Sequence, residues 1–225
     1  MSQIELGHAM VTMVEPHRET LEDYNRWYEH DHAYAAVTAS PGCFAYRRFV
    51  ATADLRDKAE PAGTDVGAFI AVYWIERGRD REQFDWTMAR SPELVESGRM
   101  HPGREHVSTA QYDFVGAKSA EVPPEIALDH PYTGLTAAWI RRDGDLEALA
   151  AELRADDTVD VVDLVQNDEV FPAITGSANE LLRLYFHKDD PRQGWANPLP
   201  DVDGVVRVVP FVPTIPGTDT YLDEL

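Results

Sequence analysis

The hydrophobic pattern of the first half of the chain alternates between a period of two and a helical period. Four segments alternate apolar and polar residues as β-strands do, at residues 6–15, 43–52, 67–76 and 104–117. Between them, residues 18–32 and 80–98 carry apolar side chains every three or four positions, which is typical of amphipathic helices. The order β-α-β-β-α-β predicts a ferredoxin-like unit.

The second half repeats this order with a weaker pattern. Strand-like segments lie at residues 134–142, 158–168, 179–188 and 204–213, and residues 145–155 form a helical segment. The second helix is reduced to the breaker-rich residues 190–201. We therefore predict an α+β protein in which two tandem ferredoxin-like domains form a pseudo-dimeric α/β barrel, with their sheets packed face to face.

Breaker-rich residues divide the chain between these two patterns. We expect a first domain at residues 1–119 that carries the site, a proline-rich linker at 120–133, and a degenerate ferredoxin-like domain at 134–225. The second domain is predicted to serve as a structural partner that replaces the second subunit of a dimer.

Charge and composition exclude several classes of function. The formal net charge is −20 and the pI is about 4.6, so phosphates of nucleic acids and anionic membranes would be repelled. No apolar run reaches the roughly 20 residues of a membrane span, and MSQIELGHAM does not resemble an export signal. With Cys43 as the single cysteine and no export signal, we expect a cytoplasmic protein; a homodimer is compatible with this sequence.

Candidate chemistry concentrates in the stretch WYEHDHAYAAVTASPGCFAY, residues 27–46. In a helix, Tyr28 and His32 lie one turn apart on one face, as do Tyr24 and Tyr28, whereas His30 points elsewhere. Histidine transfers protons near neutral pH and a neighbouring phenol can donate a hydrogen bond, so Tyr28 and His32 form a candidate acid-base pair. The alternative is that His30 and His32 are solvated residues at the end of a helix.

The spacing of this stretch resembles a known signature. Tyr28-x-x-x-His32, then Pro41-Gly42 and the strand motif Phe44-x-Tyr46, resemble EthD-like proteins of the dimeric α/β-barrel superfamily. The resemblance covers residues 6–117 and implies a pocket between sheet and helices that takes small, often cyclic or aromatic molecules. Two features depart from the family pattern: Ala33-Tyr34 replaces an apolar-proline pair, and His30 is an additional histidine.

The resemblance implies a cofactor-independent enzyme, either a lyase or isomerase or a cofactor-free monooxygenase, acting on a small cyclic or aromatic carbonyl compound. His32 would be the general acid or base, and Tyr28 would hydrogen-bond the developing oxyanion. His8 or Tyr46 would orient the substrate. We expect Tyr24, Trp86 and His106 to complete the substrate-binding set, with His8 and His106 near His32 if they share a face with Met10, Thr12 and Ser108.

Two other functions compete with this one. Some relatives in the superfamily bind haem, and a histidine would then ligate iron while arginines hold the propionates. A binding module would take up the ligand without turnover. A metal site at His30, Asp31 and His32 is disfavoured because residues two apart on a helix diverge, and Cys43 is expected to be a buried, inert thiol. Nucleotide-binding and serine-hydrolase motifs are absent from the sequence.

Overall fold

The computed structural model describes residues 4–167 and 179–225, and its centre is a closed antiparallel barrel. The strands follow one another around the barrel in the order β1-β3-β2-β8-β5-β7-β6-β4. Their bounds are β1 Leu6–Pro16, β2 Cys43–Val50, β3 Phe69–Glu76, β4 Arg104–Lys118, β5 Gly134–Arg141, β6 Asp160–Gln166, β7 Glu180–His187 and β8 Val205–Pro213. The ends of each strand lie within about two residues of the ends of the segment that alternation predicts. The last residue of the predicted segment 158–168 falls outside the described residues.

Four α-helices accompany the barrel in the described ranges: α1 Leu21–Trp27, α2 Ala53–Arg56, α3 Asp80–Glu96 and α4 Leu146–Asp156. Helix α3 corresponds to the predicted 80–98 and α4 corresponds to 145–155, whereas α2 is a single turn between β2 and β3. The breaker-rich 190–201 contains only the 3₁₀ turn Pro191–Gln193. In the described part of the chain, no helix has the length and apolar character of a membrane span.

The predicted helix at residues 18–32 differs from the observed one. After the 3₁₀ turn Arg18–Thr20, helix α1 ends at Trp27 and the chain continues as a π-helix over Tyr28–Thr38. The wider turn is visible at its end, where the Ala39 N–H donates to Tyr34 O, five residues earlier. A π-helix brings residues five apart over one another, which a search for a 3.6-residue period does not detect.

The arrangement of the two sheets also differs from the predicted face-to-face packing. They join edge to edge, because β4 pairs with β6 and β2 pairs with β8. The β4–β6 seam spans six register pairs, whereas the β2–β8 seam has two, Phe49↔Pro213 and Val50↔Val212. Pairing both edges satisfies N–H and C=O groups that an open sheet would expose.

Residues 120–133, predicted to be a linker, pack against the barrel. Val122, Leu128 and Tyr132 are buried, and a 3₁₀ turn forms at Pro124–Ile126. The Arg47 guanidinium donates to the Leu128 and His130 carbonyl oxygens at 3.1 and 2.5 Å. This segment therefore covers one side of the barrel core while it connects β4 to β5.

Candidate active site

A cavity of about 260 Å³ lies between the barrel and the helices of the first half of the chain. Strands β1 and β4 supply its barrel wall, and the π-helix and α3 supply the opposite wall. Most of the lining is apolar, and Met10, Phe84 and Leu94 are typical of it. A small set of polar groups faces this apolar space, which is the usual composition of a small-molecule site.

The π-helix positions His32 and Tyr28 together at this cavity. Their ring centroids are 5.4 Å apart in an edge-on arrangement. Trp27, five residues before His32, stacks on the imidazole with centroids 4.2 Å apart and an interplanar angle of 23°. The His32 Nδ1 atom is buried and has no hydrogen-bond partner. Sequence reasoning anticipated the Tyr28 neighbour but not the Trp27 stack.

Electrostatics keep His32 neutral. Burial, then the Arg104 charge and His106, lower the pKa of His32 to about 3, against a small opposing effect of Asp31. Burial and Arg104 likewise lower the pKa of His106 to about 4. Both imidazoles are therefore uncharged at neutral pH, and the cavity's positive charge resides on Arg104.

Two tyrosines form a hydrogen-bonded pair on the cavity wall. The hydroxyl oxygens of Tyr28 and Tyr73 are 2.6 Å apart, and both residues are buried. Burial is the main cause of the raised pKa of each phenol, so both stay protonated. Each hydroxyl has one proton, and the shared bond uses only one of the two. The pair thus retains one proton that it can donate to a ligand.

A β-bulge in β4 sets the direction of His106 and Arg104. The register with β1 passes from Met13↔Ser108 to Val14↔His106, so β4 contains one extra residue, Val107. A bulge reverses the alternation of faces, and His106 therefore lines the cavity although Ser108 does not. Thus His106 reaches the cavity on the face of Met10 and Thr12, without Ser108.

Arg104 contributes a guanidinium with few protein partners to this cavity. It lies over the Trp27 ring, 4.8 Å from the centroid, and Nη1 donates to His101 O. Burial lowers the pKa of Arg104. The residues that line the cavity include no Asp or Glu.

Polar side chains of the lining are connected in two short hydrogen-bonded chains. Thr109 Oγ1 lies 2.7 Å from Thr12 Oγ1 and 2.9 Å from His106 Nδ1, which fixes the His106 ring. Gln111 Nε2 donates to Gln83 Oε1 at 2.8 Å, and Gln83 Nε2 donates to Thr87 Oγ1 at 2.9 Å. These contacts hold the walls of β1, β4 and α3 in fixed relation.

The structure places His8 outside the cavity. His8 shares the face of Met10 and Thr12, but it lies at the far end of β1, where its Nδ1 is 2.8 Å from Asp113 Oδ1 and its Nε2 is 3.3 Å from Asp80 Oδ1. Alternation specifies which face of the sheet a residue occupies, but not how far along the strand it lies from the cavity.

The three predicted aromatic residues also lie outside the cavity lining. Tyr46 stacks on Tyr73 at 4.8 Å, and Tyr24 packs behind Tyr28 at 5.9 Å, so both support lining residues. Trp86 faces a separate surface groove beside Tyr34. Large aromatic side chains are typical of protein cores. Tyr24 belongs to the hydrophobic core, and Tyr46 packs against it.

The remaining candidates of the first half have ordinary surroundings. His30 is exposed, and Asp31 pairs with Arg99. Burial raises the pKa of the Cys43 thiol to about 12, which is the behaviour of an unreactive thiol. Within residues 4–167 and 179–225, no three His, Cys, Asp or Glu side chains converge as a metal site would require.

Sequence reasoning did not single out Arg104 or Tyr73. Arg104 and His106 are separated by one residue on a predicted strand, so they belong to one face and could have been grouped. The pairing of Tyr73 with Tyr28 depends on where the π-helix lies over β3, which the pattern of a single segment does not specify.

Comparisons with known proteins identify a fold and no family. No family model matches the chain, and no curated protein matches it. Among solved structures, the DyP-type peroxidase of Mycobacterium smegmatis superposes with a TM-score of 0.55 at 10% identity, covering 95% of this chain and 94% of that one. An anthrone oxidase-like protein superposes with a TM-score of 0.52 at 11% identity, covering 94% and 92%. A protein provisionally described as a chlorite dismutase gives 0.51 at 11%, covering 99% and 100%.

These likenesses and the closed eight-stranded sheet define the class of the protein. The chain has the dimeric α/β-barrel fold, with α+β composition and the barrel closed within one polypeptide. At identities near 10%, the likeness establishes the fold alone.

Haem, the cofactor of the alternative raised by the sequence resemblance, does not fit this cavity. The volume of about 260 Å³ is below the roughly 300–1,000 Å³ of pockets that enclose drug-sized ligands, and haem is larger than most of these. The cavity is suited to a smaller molecule of one or two rings.

Proposed function

We propose that the protein is a cofactor-free enzyme that removes a proton from a small cyclic or aromatic carbonyl compound, with His32 as general base. The observation that carries this proposal is a neutral imidazole with an unpartnered nitrogen beside a tyrosine pair that has a proton to donate. Proton transfer needs an acceptor and an oxyanion donor across one cavity, and these groups are such a pair.

The reaction would proceed through an enolate. The unprotonated nitrogen of His32 takes a proton from the carbon beside the carbonyl, and the electron pair moves onto the carbonyl oxygen. The free hydroxyl proton of the Tyr28–Tyr73 pair hydrogen-bonds that oxygen. Return of the proton to another carbon completes an isomerisation. The apolar lining excludes water, which strengthens both interactions.

Exchange of carbon-bound hydrogen for deuterium tests this step directly. We would incubate 2-tetralone, a bicyclic ketone with acidic C–H bonds, with the protein in D₂O and follow the loss of the C–H signals by NMR. His32→Gln should slow protein-catalysed exchange by about 10²- to 10⁴-fold, and Tyr28→Phe should slow it less because Tyr73 keeps a hydroxyl. The exposed His30→Gln is the matched control. Equal exchange by wild type and His32→Gln would overturn the proposal.

Oxygenation is a second outcome of the same carbanion. A CH₂ group that reacts with one O₂ becomes C=O and releases one water. An oxygen electrode run beside the NMR experiment separates the two fates: uptake of O₂ that depends on His32 indicates a monooxygenase, and exchange without uptake indicates an isomerase. Binding of the ketone with neither activity identifies a binding module and contradicts the enzyme proposal.

We also infer that the chain is a tandem duplication of an EthD-like unit. Strand order supports it: β4-β1-β3-β2 in the first half and β8-β5-β7-β6 in the second are both orders of a ferredoxin-like sheet. The domains would be residues 1–119 and 134–225, joined by 120–133. Expression of residues 1–133 alone tests this: an independently folded unit that self-associates supports it, and an unfolded product contradicts it.

A further inference from the structure

Arg104 is a cationic group without a counterion inside a largely apolar cavity. Of its N–H groups, one has an acceptor in the described structure, His101 O. No carboxylate lines the cavity, and no ion pair of Arg104 occurs within the described part of the chain. A desolvated cation without a partner is unfavourable, so this position has a cost that a ligand can remove.

Two other arginines of the barrel have carboxylate counterions, although Arg48 Nε and Nη2 and Arg183 Nη1 have no hydrogen-bond acceptor. The buried Arg183 donates to Asp163 and Asp157 at 2.7 and 2.5 Å, and Arg48 lies 3.6 Å from Glu29. The Arg47 guanidinium donates hydrogen bonds to the carbonyl oxygens of residues 128, 130 and 132. Arg104 differs from Arg183 and Arg48 because it has no ion pair among the described residues, and it lines the cavity.

We propose that Arg104 and His106 form a subsite for a carboxylate of the substrate, so that the substrate is a cyclic or aromatic carboxylic acid that also carries the reacting carbonyl. This inference rests on the proposed function and names its substrate class. A guanidinium binds a carboxylate through two parallel N–H bonds. His106, whose Nδ1 is engaged by Thr109, supplies Nε2–H as a further donor.

The single charge of the subsite favours a carboxylate over a phosphate. One guanidinium neutralises one carboxylate, whereas a phosphate monoester would keep about one uncompensated negative charge in an apolar cavity. The two histidines do not add positive charge at neutral pH, because both are held neutral by their surroundings. The cavity volume of about 260 Å³ leaves room beside the carboxylate for one or two fused rings.

Binding of 2-naphthoate and its uncharged isostere 2-naphthamide, measured by calorimetry on the full chain, tests the subsite. We expect wild type to bind naphthoate about 10- to 100-fold more tightly than naphthamide. Arg104→Gln should bring the two affinities together, and Arg104→Lys should retain part of the preference because it keeps the charge without the fork. Arg81→Gln, an exposed arginine on α3, should keep the full preference.

The results separate this inference from the proposed function. Equal affinity of wild type for the acid and the amide, absence of binding by both, or a preference that survives in a folded Arg104→Gln protein would overturn the subsite. Those results would leave His32-dependent exchange of 2-tetralone by wild type intact. Conversely, selective naphthoate binding by a protein that does not exchange 2-tetralone would support the subsite and reject the base.

Discussion

The His32 ring lies against the Trp27 indole with centroids 4.2 Å apart, and the Arg104 guanidinium lies 4.8 Å from the centroid of the same indole. Trp27 is itself fixed, because its Nε1–H donates to Arg99 O at 2.7 Å. One half-buried tryptophan thus orients both the candidate base and the candidate anion-binding group. Trp27 and His32 are five residues apart in the sequence, and the π-helix that begins at Tyr28 brings their rings over one another.

Replacing Trp27 should therefore damage the site and the fold together. Trp27→Leu removes the stack and the cation–π contact, and we expect a loss of about 1–3 kcal/mol in the free energy of unfolding. Trp27→Phe should recover part of both stability and deuterium exchange, since it keeps a ring at that position. Urea unfolding and exchange of 2-tetralone measure the two effects. A stable Trp27→Leu protein with full exchange would contradict this role.

The bulge in β4 offers a test of how the site is built. Deleting Val107 removes the extra residue but keeps His106 opposite Val14, with Arg104 two residues further along on the same face. We expect a folded barrel that keeps its preference for naphthoate over naphthamide. Deleting Glu105 instead brings Arg104 next to His106 and turns it to the other face, so that variant should lose the preference. The opposite pattern in the two deletion variants would contradict this register.

The neutral histidines predict a loss of stability in weak acid. Unfolded histidine has a pKa near 6.5, whereas the folded pKa is about 3 for His32 and about 4 for His106. The unfolded state therefore binds more protons between about pH 4 and pH 6.5, and the free energy of unfolding falls as the pH falls through that window. Urea midpoints at about pH 7 and pH 5 measure the slope.

Substitutions assign this slope to particular residues. His106→Asn and His32→Gln should each flatten it, because each removes a group that takes up a proton on unfolding. The exposed His30→Gln should leave it nearly unchanged. An undiminished slope in the His32→Gln, His106→Asn double variant would show that other groups cause the acid sensitivity.

A bound carboxylate should make His32 a stronger base. The pKa of His32 is lowered by burial, Arg104 and His106, and Asp31, which pairs with Arg99, opposes them only weakly. A carboxylate on Arg104 offsets that positive charge, so naphthoate should raise the pKa of His32 towards the range useful for proton transfer. Naphthamide should not. Imidazole proton shifts in NMR titrations with each ligand decide this, and identical curves would contradict the coupling.

The elements that sequence predicts well are those with a local cause. Alternation over residues 67–76 and 104–117 locates β3 and β4, and the helical period over 80–98 locates α3, because each pattern is complete within its own segment. The Tyr28–His32 proximity also follows from local spacing.

The rest of the candidate site depends on relations between segments. The extra residue at Val107 is defined only by its register against β1, and it decides which side chains of β4 reach the cavity. Likewise, His8 lies on the same face of β1 as the lining residues, but too far along the strand to reach the cavity. The period of a single segment specifies neither the register between strands nor the position of a cavity along them.

We expect the barrel to open locally between β2 and β8 before it opens elsewhere. Two register pairs hold this seam, the Pro213 nitrogen has no hydrogen to donate, and the Thr214 N–H donates to Arg48 O at 3.1 Å. Glu60, which follows α2, makes two separate hydrogen bonds of 3.0 and 2.7 Å with Val208. Local opening costs least where the fewest contacts break, so backbone hydrogens at this seam should exchange with solvent before those of β4 and β6. β3 lies between the seam and β1 in the strand order. The sheet can therefore open and reclose along one line while the wall that carries the histidines and Arg104 remains assembled.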